Sequence, residues 1–149
     1  MAQRLTTDDT MKTVVSFTAP QLSDAEDARN LSCAQIAQDL RESLSSIGAI
    51  VHGLEQLDYA SHFNVKLDDD SFYVMCGYVG DGLRQWMVSV DNKRGLLKRL
   101  FSGAQADGKN FKVIVNKFHN EVSIKHKDVR WYTLDDWNSN PDEAYSTTP

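Results

Sequence analysis

The sequence reads Phe63-Asn-Val-Lys-Leu67, then Phe72-Tyr-Val-Met-Cys-Gly-Tyr-Val79, then Gln85-Trp-Met-Val-Ser-Val90, and these three short runs decide the fold. β-Branched and aromatic residues dominate each run. Turn-forming residues separate them, Asp68-Asp-Asp-Ser71 first and Gly80-Asp-Gly82 second. This composition is typical of strands joined by tight turns, so the stretch predicts an antiparallel meander.

The two faces of the predicted meander differ in character, because successive side chains of a strand point to opposite sides. One face is apolar and predicts the core side: Phe63, Val65, Leu67, Phe72, Val74, Cys76, Tyr78, Trp86, Val88 and Val90. The other face has polar residues but also Tyr73, Met75, Val79 and Met87. A solvated face is normally more polar than that. These four residues therefore predict either a protein-binding site or a surface that the chain itself covers, with Val14–Phe17, the acidic N-terminal helix or the C-terminal tail.

Helical and extended segments flank the meander on both sides. Apolar residues three or four apart predict a helix from Ser32 to Ile47, and the pattern at 111–122 favours a helix over a strand. The other predicted elements are an edge strand at Val14–Phe17, an extended segment at Ala49–Leu57, a helix from Asp91 to Gly103 and a final strand at Val129–Leu134. Adjacent strands flanked by helices predict an α+β two-layer sandwich, with the meander packed by two to three helices.

The length and composition indicate one globular domain. A chain of 149 residues with 41% hydrophobic and 25% charged residues is ordinary for a globular protein. We expect a flexible N-terminal leader at 1–22, the α+β domain at 23–137 and an acidic C-terminal tail at 138–149. No apolar run is long enough for a signal peptide or a membrane span, so a cytoplasmic location is expected.

The net charge of −5 conceals a division along the chain. Residues 1–92 hold 6 Lys/Arg and 14 Asp/Glu, whereas residues 93–134 hold 10 Lys/Arg and 3 Asp/Glu. The basic segment predicts an alternative function, a nucleic-acid-binding accessory protein whose phosphate contacts are Lys93, Arg94, Lys98 and Arg99, with Lys109, Lys112 and Lys117 beside them. Trp131 or Tyr132 would then stack on a base. The negative total charge favours acidic and basic halves that pack together instead.

Chemistry-bearing residues form no recognisable motif. The histidines (His52, His62, His119 and His126) lack an HExxH or Cys/His arrangement, and a hairpin turn explains Asp68–Asp70 better than a cation site does. The two cysteines, Cys33 and Cys76, form no CxxC pair and are expected to be buried free thiols. We therefore expect no metal, no cofactor and no enzymatic activity.

A weak resemblance extends over roughly residues 32–134. The residues that carry it are Trp86-x-Val88-x-Val90, Gly95-Leu-Leu-x-Arg-Leu-Phe101, His119 and Val129-Arg-Trp-Tyr132. The pattern resembles small bacterial α/β proteins of unassigned function, and is similar in style to immunity proteins that neutralise antibacterial toxins. Most of these residues are core or capping residues, so the resemblance speaks for fold more than for function. It implies that the partner is another protein, such as a toxin. A second copy of the chain is the other partner that we expect.

Overall fold

The computed structural model describes residues 11–92 and 108–149. The strands are β1 (Lys12–Thr18), β2 (Ile50–Leu57), β3 (Ala60–Leu67), β4 (Asp70–Asp81), β5 (Arg84–Asn92) and β6 (Lys127–Thr133). The helices are α1 (Arg29–Ser45), preceded by a 3-10 turn at Glu26–Ala28, then α2 (Lys109–Lys125) and α3 (Leu134–Ser139). The predicted helix that would follow Asp91 falls mostly on residues 93–107, outside the described residues, and Asp91 itself belongs to β5.

The six strands form one antiparallel sheet in the order β2-β3-β4-β5-β1-β6. This arrangement, with helices packed against it, confirms the predicted α+β two-layer sandwich and its meander, β3 to β5. The predicted helix at 111–122 is confirmed by α2, and the extended segment at Ala49–Leu57 by β2.

The core lies between the sheet and the helices α1 and α2. All ten residues predicted for the apolar face belong to it; Leu67 and Tyr78 are partly buried and the other eight are buried. Helix α1 contributes Ile36, Leu40 and Leu44, and α2 contributes Phe111, Ile114 and Phe118. Their spacing of three and four residues places each set on one helical face. Lys125 and Asp39, whose Nζ and Oδ2 atoms are 3.5 Å apart, connect the two helices at the surface.

Strand β1 corrects two predictions about the N-terminal region. Lys12–Thr18 is not part of a flexible leader and is not an edge strand, because β5 pairs with one side of it and β6 with the other. Val14, Val15, Ser16 and Phe17 are all buried, so both faces of this strand are covered. The folded domain therefore includes β1 as well as the elements from residue 23 onward.

The C-terminal residues also differ from the prediction of a free acidic tail. Thr133 caps α3, since its Oγ1 accepts a hydrogen bond of 3.1 Å from the Asp136 backbone N–H. Further on, the backbone N–H and C=O of Ser146 bond those of Trp131, at 3.0 and 2.7 Å. The segment therefore returns to the sheet and pairs with the outer edge of β6.

Candidate functional site

The sheet surface opposite α1 and α2 is called the second face. The strand register places His62, Met75, Ser89, Val14 and Tyr132 in one row across five strands of this face. All four residues that the sequence analysis selected, Tyr73, Met75, Val79 and Met87, lie on it. The structure thus brings the predicted residues onto one surface and shows which parts of that surface other segments cover.

A C-terminal cover, formed by residues 134–146, packs on one half of the second face. Beneath it lies a small apolar cluster of Val14, Met87 and Tyr132. Trp137 meets the Tyr132 ring edge-on, with centroids 5.0 Å apart, and Tyr145 lies 6.2 Å from the same ring. Edge-to-face contacts of this kind are favourable for aromatic pairs. Of the two possibilities left open by the sequence, coverage by the chain itself holds for this half.

Two cationic side chains fasten the C-terminal cover to the sheet. The Arg130 guanidinium lies 4.3 Å from the Tyr145 ring centroid, and that of Arg84 lies 5.6 Å from the ring of Trp137. Arg84 also forms ion pairs with Asp81 and, at 3.2 Å, with Asp142. Cation–π contacts stabilise such packing by roughly 0.5–1 kcal/mol each at exposed sites. The cover is therefore held by packing, by charge and by the backbone bonds of Ser146.

The four predicted residues fall into different environments as a result. Met87 is 8% exposed and belongs to the covered cluster, whereas Met75 and Val79 are partly buried at its margin. Tyr73 lies outside the cluster and is half-buried. Met87 is therefore not available to a partner while the C-terminal cover is in place, but Tyr73 and Met75 reach solvent.

The uncovered half of the second face contains a further pair that the sequence analysis did not select. His62 Nε2 lies 3.0 Å from Glu55 Oε1, and the His62 ring is 5.2 Å from the Tyr73 ring. We call Glu55, His62, Tyr73 and Met75 the open patch. The alternation of side chains in β3 could have identified His62. If the strand is extended by one residue before Phe63, His62 lies on the same face as Asn64 and Lys66.

The chemistry of the open patch suits contact with a partner better than proton transfer. His62 already uses Nε2 toward Glu55, and its Nδ1 is buried without a hydrogen-bond partner in the part of the chain that the structure describes. A buried nitrogen is not within reach of a substrate. Burial, with a smaller contribution from Glu55, raises the pKa of Tyr73. Its phenol is therefore neutral at physiological pH and able to donate a hydrogen bond.

Two other histidines have structural surroundings. His119 Nδ1 accepts a hydrogen bond of 3.0 Å from the indole Nε1 of buried Trp131. His126 stacks on Phe17 with centroids 4.7 Å apart, and its Nδ1 lies 3.3 Å from the Gln21 amide nitrogen. Burial lowers the pKa of both histidines. Each is therefore kept neutral by its packing. Ser123 Oγ lies 3.4 Å from His119 Nδ1, one helical turn along α2, but that nitrogen already accepts from the Trp131 indole.

The acidic turn and the thiols also have structural explanations. Asp70 Oδ2 accepts a hydrogen bond of 2.8 Å from Asn110 Nδ2, which connects the β3–β4 turn to α2. Within residues 11–92 and 108–149, no three His, Cys, Asp or Glu side chains are grouped to hold a metal ion. Cys33 and Cys76 are buried free thiols, as predicted. Burial raises the pKa of Cys33 to about 11 and that of Cys76 further still, so neither is a reactive thiolate.

Only some of the basic residues proposed for nucleic-acid contact belong to the part of the chain that the structure describes. Lys93, Arg94, Lys98 and Arg99 lie outside the described residues, whereas Lys109, Lys112 and Lys117 lie on α2. The prediction that Trp131 or Tyr132 stacks on a base is wrong, because both side chains are fully buried. Base stacking requires an accessible aromatic face.

A pocket of about 370 Å³ lies between β1 and α2. Its described lining comprises Met11, Lys12, Phe111, Lys112, Val115, Asn116 and Pro149. The described lining has no carboxylate, thiol or imidazole side chain. The open patch remains the stronger candidate for function.

Comparison with known proteins identified no matching family, curated protein or solved structure. None of the helices in the described residues is long and apolar enough to cross a membrane. The case for function therefore depends on the geometry of the second face.

Proposed function

We propose that the chain is a non-catalytic protein-binding domain and that the open patch is its contact site. The observation that supports this most strongly is the position of Tyr73 and Met75, two residues apart on β4 and both half-buried, with Tyr73 outside the covered cluster and Met75 at its margin. Tyrosine and methionine are enriched in protein interfaces, where they supply large contact areas. The chain covers the neighbouring apolar cluster with its own aromatics but leaves this pair accessible.

The charges around the open patch favour a basic partner. Glu55 remains 66% exposed in its side chain despite its contact with His62. Asp91 lies opposite Tyr73 in the β4–β5 register and is exposed. Opposite charge accelerates encounter between proteins and fixes their orientation. An immunity or inhibitor protein that neutralises a basic bacterial toxin is the specific role that we propose for this surface.

The partner can be identified with a photo-crosslinking residue in place of Tyr73, expressed in the source cell. The control carries the same residue in place of Ile124, which is 82% exposed on α2 and far from the second face. We expect adducts that depend on the Tyr73 position. The captured protein is then purified and titrated against the unmodified chain by calorimetry. A protein that crosslinks equally from both positions, or does not bind when purified, contradicts the proposal.

The substitutions Met75→Lys and Met87→Lys separate binding from folding. Met75→Lys adds a charge within the open patch at a half-buried position, so the fold should persist while affinity for the captured protein falls by roughly 30-fold, as expected for an interface hot spot. Met87→Lys forces an ammonium group beneath the C-terminal cover and should reduce the free energy of unfolding by about 3 kcal/mol. Equal affinity of the Met75→Lys variant and the original chain would refute the assignment of the site.

A further inference from the structure

The two edge strands of the sheet differ in whether another segment of the chain pairs with their outer side. At the β6 edge, both backbone groups of Ser146 bond Trp131, so the C-terminal cover pairs with that edge at one residue. At the other edge, β2 pairs with β3 on its inner side and has no strand partner on its outer side within the described ranges, 11–92 and 108–149. An unpaired strand edge offers backbone donors and acceptors to another strand.

Strand β2 has an exposed apolar surface and an irregular centre. Ile50, Leu54 and Leu57 are 62%, 48% and 45% exposed. The β2–β3 register shifts between His52 and Glu55, and Gly53 there has φ +69°, in the left-handed region. This is the geometry of a bulge that begins with glycine. The extra residue interrupts the alternation of side chains along β2. As a result His52 and Glu55, which are three residues apart, lie on the same face of the sheet.

The interrupted alternation produces a self-complementary strand. The partners of Ile50, His52, Glu55 and Leu57 on β3 are Lys66, Asn64, His62 and Ala60, which are alternate residues of one strand. All four β2 residues therefore lie on the second face. In an antiparallel pairing of two β2 strands about a two-fold axis at the bulge, His52 lies opposite Glu55 of the other copy, and Ile50 lies opposite Leu57.

We propose that β2 is the interface of a homodimer, in which two copies pair edge to edge through this register. Directly opposed side chains of antiparallel strands share a face and interact, and both opposite-charge and apolar pairs are favourable. The register gives one imidazole–carboxylate pair and one apolar pair, and the two-fold axis duplicates each, so the interface holds two of both kinds. A C2 interface requires this kind of self-complementary surface.

The bulge makes a second copy a well-matched partner for β2. A regular strand keeps a common face with β2 across Gly53 only as β3 does, with two β2 residues opposite one of its own. A second β2 has the same extra residue at the same place, so the faces match on both sides of the axis. The dimer does not require the proposed function of the open patch, although Glu55 belongs to both surfaces.

Sedimentation equilibrium of the full chain tests the proposal directly. We expect a mass that approaches twice that of the chain at high concentration and falls to that of the monomer on dilution. Leu57→Lys removes both apolar pairs of the dimer and should raise the dimer dissociation constant roughly tenfold. Ile124→Lys places the same charge at an exposed apolar position on α2 and should leave the dimer unchanged. Circular dichroism confirms that both variants are folded.

An exchange experiment tests the register itself. His52→Glu should weaken self-association, because it opposes two carboxylates at each of two positions, and Glu55→Arg should weaken it by placing a cation opposite His52. An equimolar mixture of the two variants should recover association, since one mixed pair is then glutamate against arginine and the other is the native pair. A monomeric chain at all concentrations overturns the proposal. So does a dimer that these substitutions leave intact, or a mixture that associates no better than its components.

Discussion

Acid should destabilise the protein through the hydrogen bond between His119 and Trp131. The indole Nε1 can only donate, so Nδ1 of His119 must be unprotonated to accept at 3.0 Å. Protonation of Nδ1 abolishes the bond and leaves the N–H of a fully buried tryptophan without this acceptor. An unsatisfied buried donor costs about 1–3 kcal/mol. This is the scale of the stability that the protein can lose when His119 is protonated.

The direction of the pH dependence follows from the lowered pKa. Burial depresses the pKa of His119 in the folded state, so the unfolded chain, in which histidine titrates near 6.5, takes up a proton first as the pH falls. Stability is therefore complete above about pH 7, declines as the pH falls below about 6.5, and stops declining once the folded state is also protonated. Burial lowers the pKa of His126 as well, so that histidine contributes with the same sign.

Two substitutions at His119 distinguish the loss of the hydrogen-bond acceptor for Trp131 from the protonation of the imidazole. His119→Gln supplies a carbonyl oxygen that accepts from the indole and does not titrate, so it should remove part of the decline between pH 7 and pH 5. His119→Ala removes the acceptor and should reduce the free energy of unfolding by about 1–3 kcal/mol at pH 8. Urea unfolding followed by circular dichroism measures both. An unchanged pH profile for His119→Gln, or an unaltered free energy for His119→Ala at pH 8, would refute the reasoning.

Three further expectations concern the bulge, the C-terminal cover and the thiols. Gly53→Ala should lower the free energy of unfolding by about 1–2 kcal/mol in thermal melts, because φ +69° strains any other residue; an unchanged melting temperature would count against it. Trp137→Ala should expose the ring of Tyr132 and increase binding of a hydrophobic dye, and no increase would mean that the cover does not depend on this residue. Cys33 and Cys76 should react with a thiol reagent only after unfolding, because they are buried and their pKa values are raised; rapid reaction of the native protein would contradict this.

The local pattern was sufficient to predict the core of the meander. Alternation in β3, β4 and β5 identified all ten residues of the apolar face, because a strand with one buried face must repeat with a period of two. It did not explain β2, where apolar and polar residues fail to alternate. The bulge at Gly53 is the physical reason, since it reverses parity in mid-strand.

Long-range pairing was beyond the reach of the sequence pattern. The run Val14–Phe17 was correctly predicted to be extended, yet its neighbours are β5 and β6, which lie about 70 and 115 residues away in the chain. Four consecutive buried residues in β1 indicate an interior strand, but burial is only visible once those neighbours are known. The C-terminal tail was one of three segments that could cover the second face, and no feature of the sequence favoured it over the other two, because its acidic composition and its prolines are typical of a tail. The aromatic residues that attach it, Trp137 and Tyr145, show their role only in the structure.

The C-terminal cover also determines where interaction is possible. It pairs with the β6 edge and packs on the apolar cluster, so the accessible contact groups of the described sheet are concentrated at its β2 end, where the open patch also lies. Pairing of two β2 strands would place two open patches on one continuous second face. The Glu55 of each copy would then lie opposite His52 of the other copy. A partner that contacts both patches would then gain affinity through its effective local concentration. Because His52→Glu separates the copies without altering Tyr73 or Met75, affinity measured with this variant distinguishes a partner that binds one patch from a partner that bridges two.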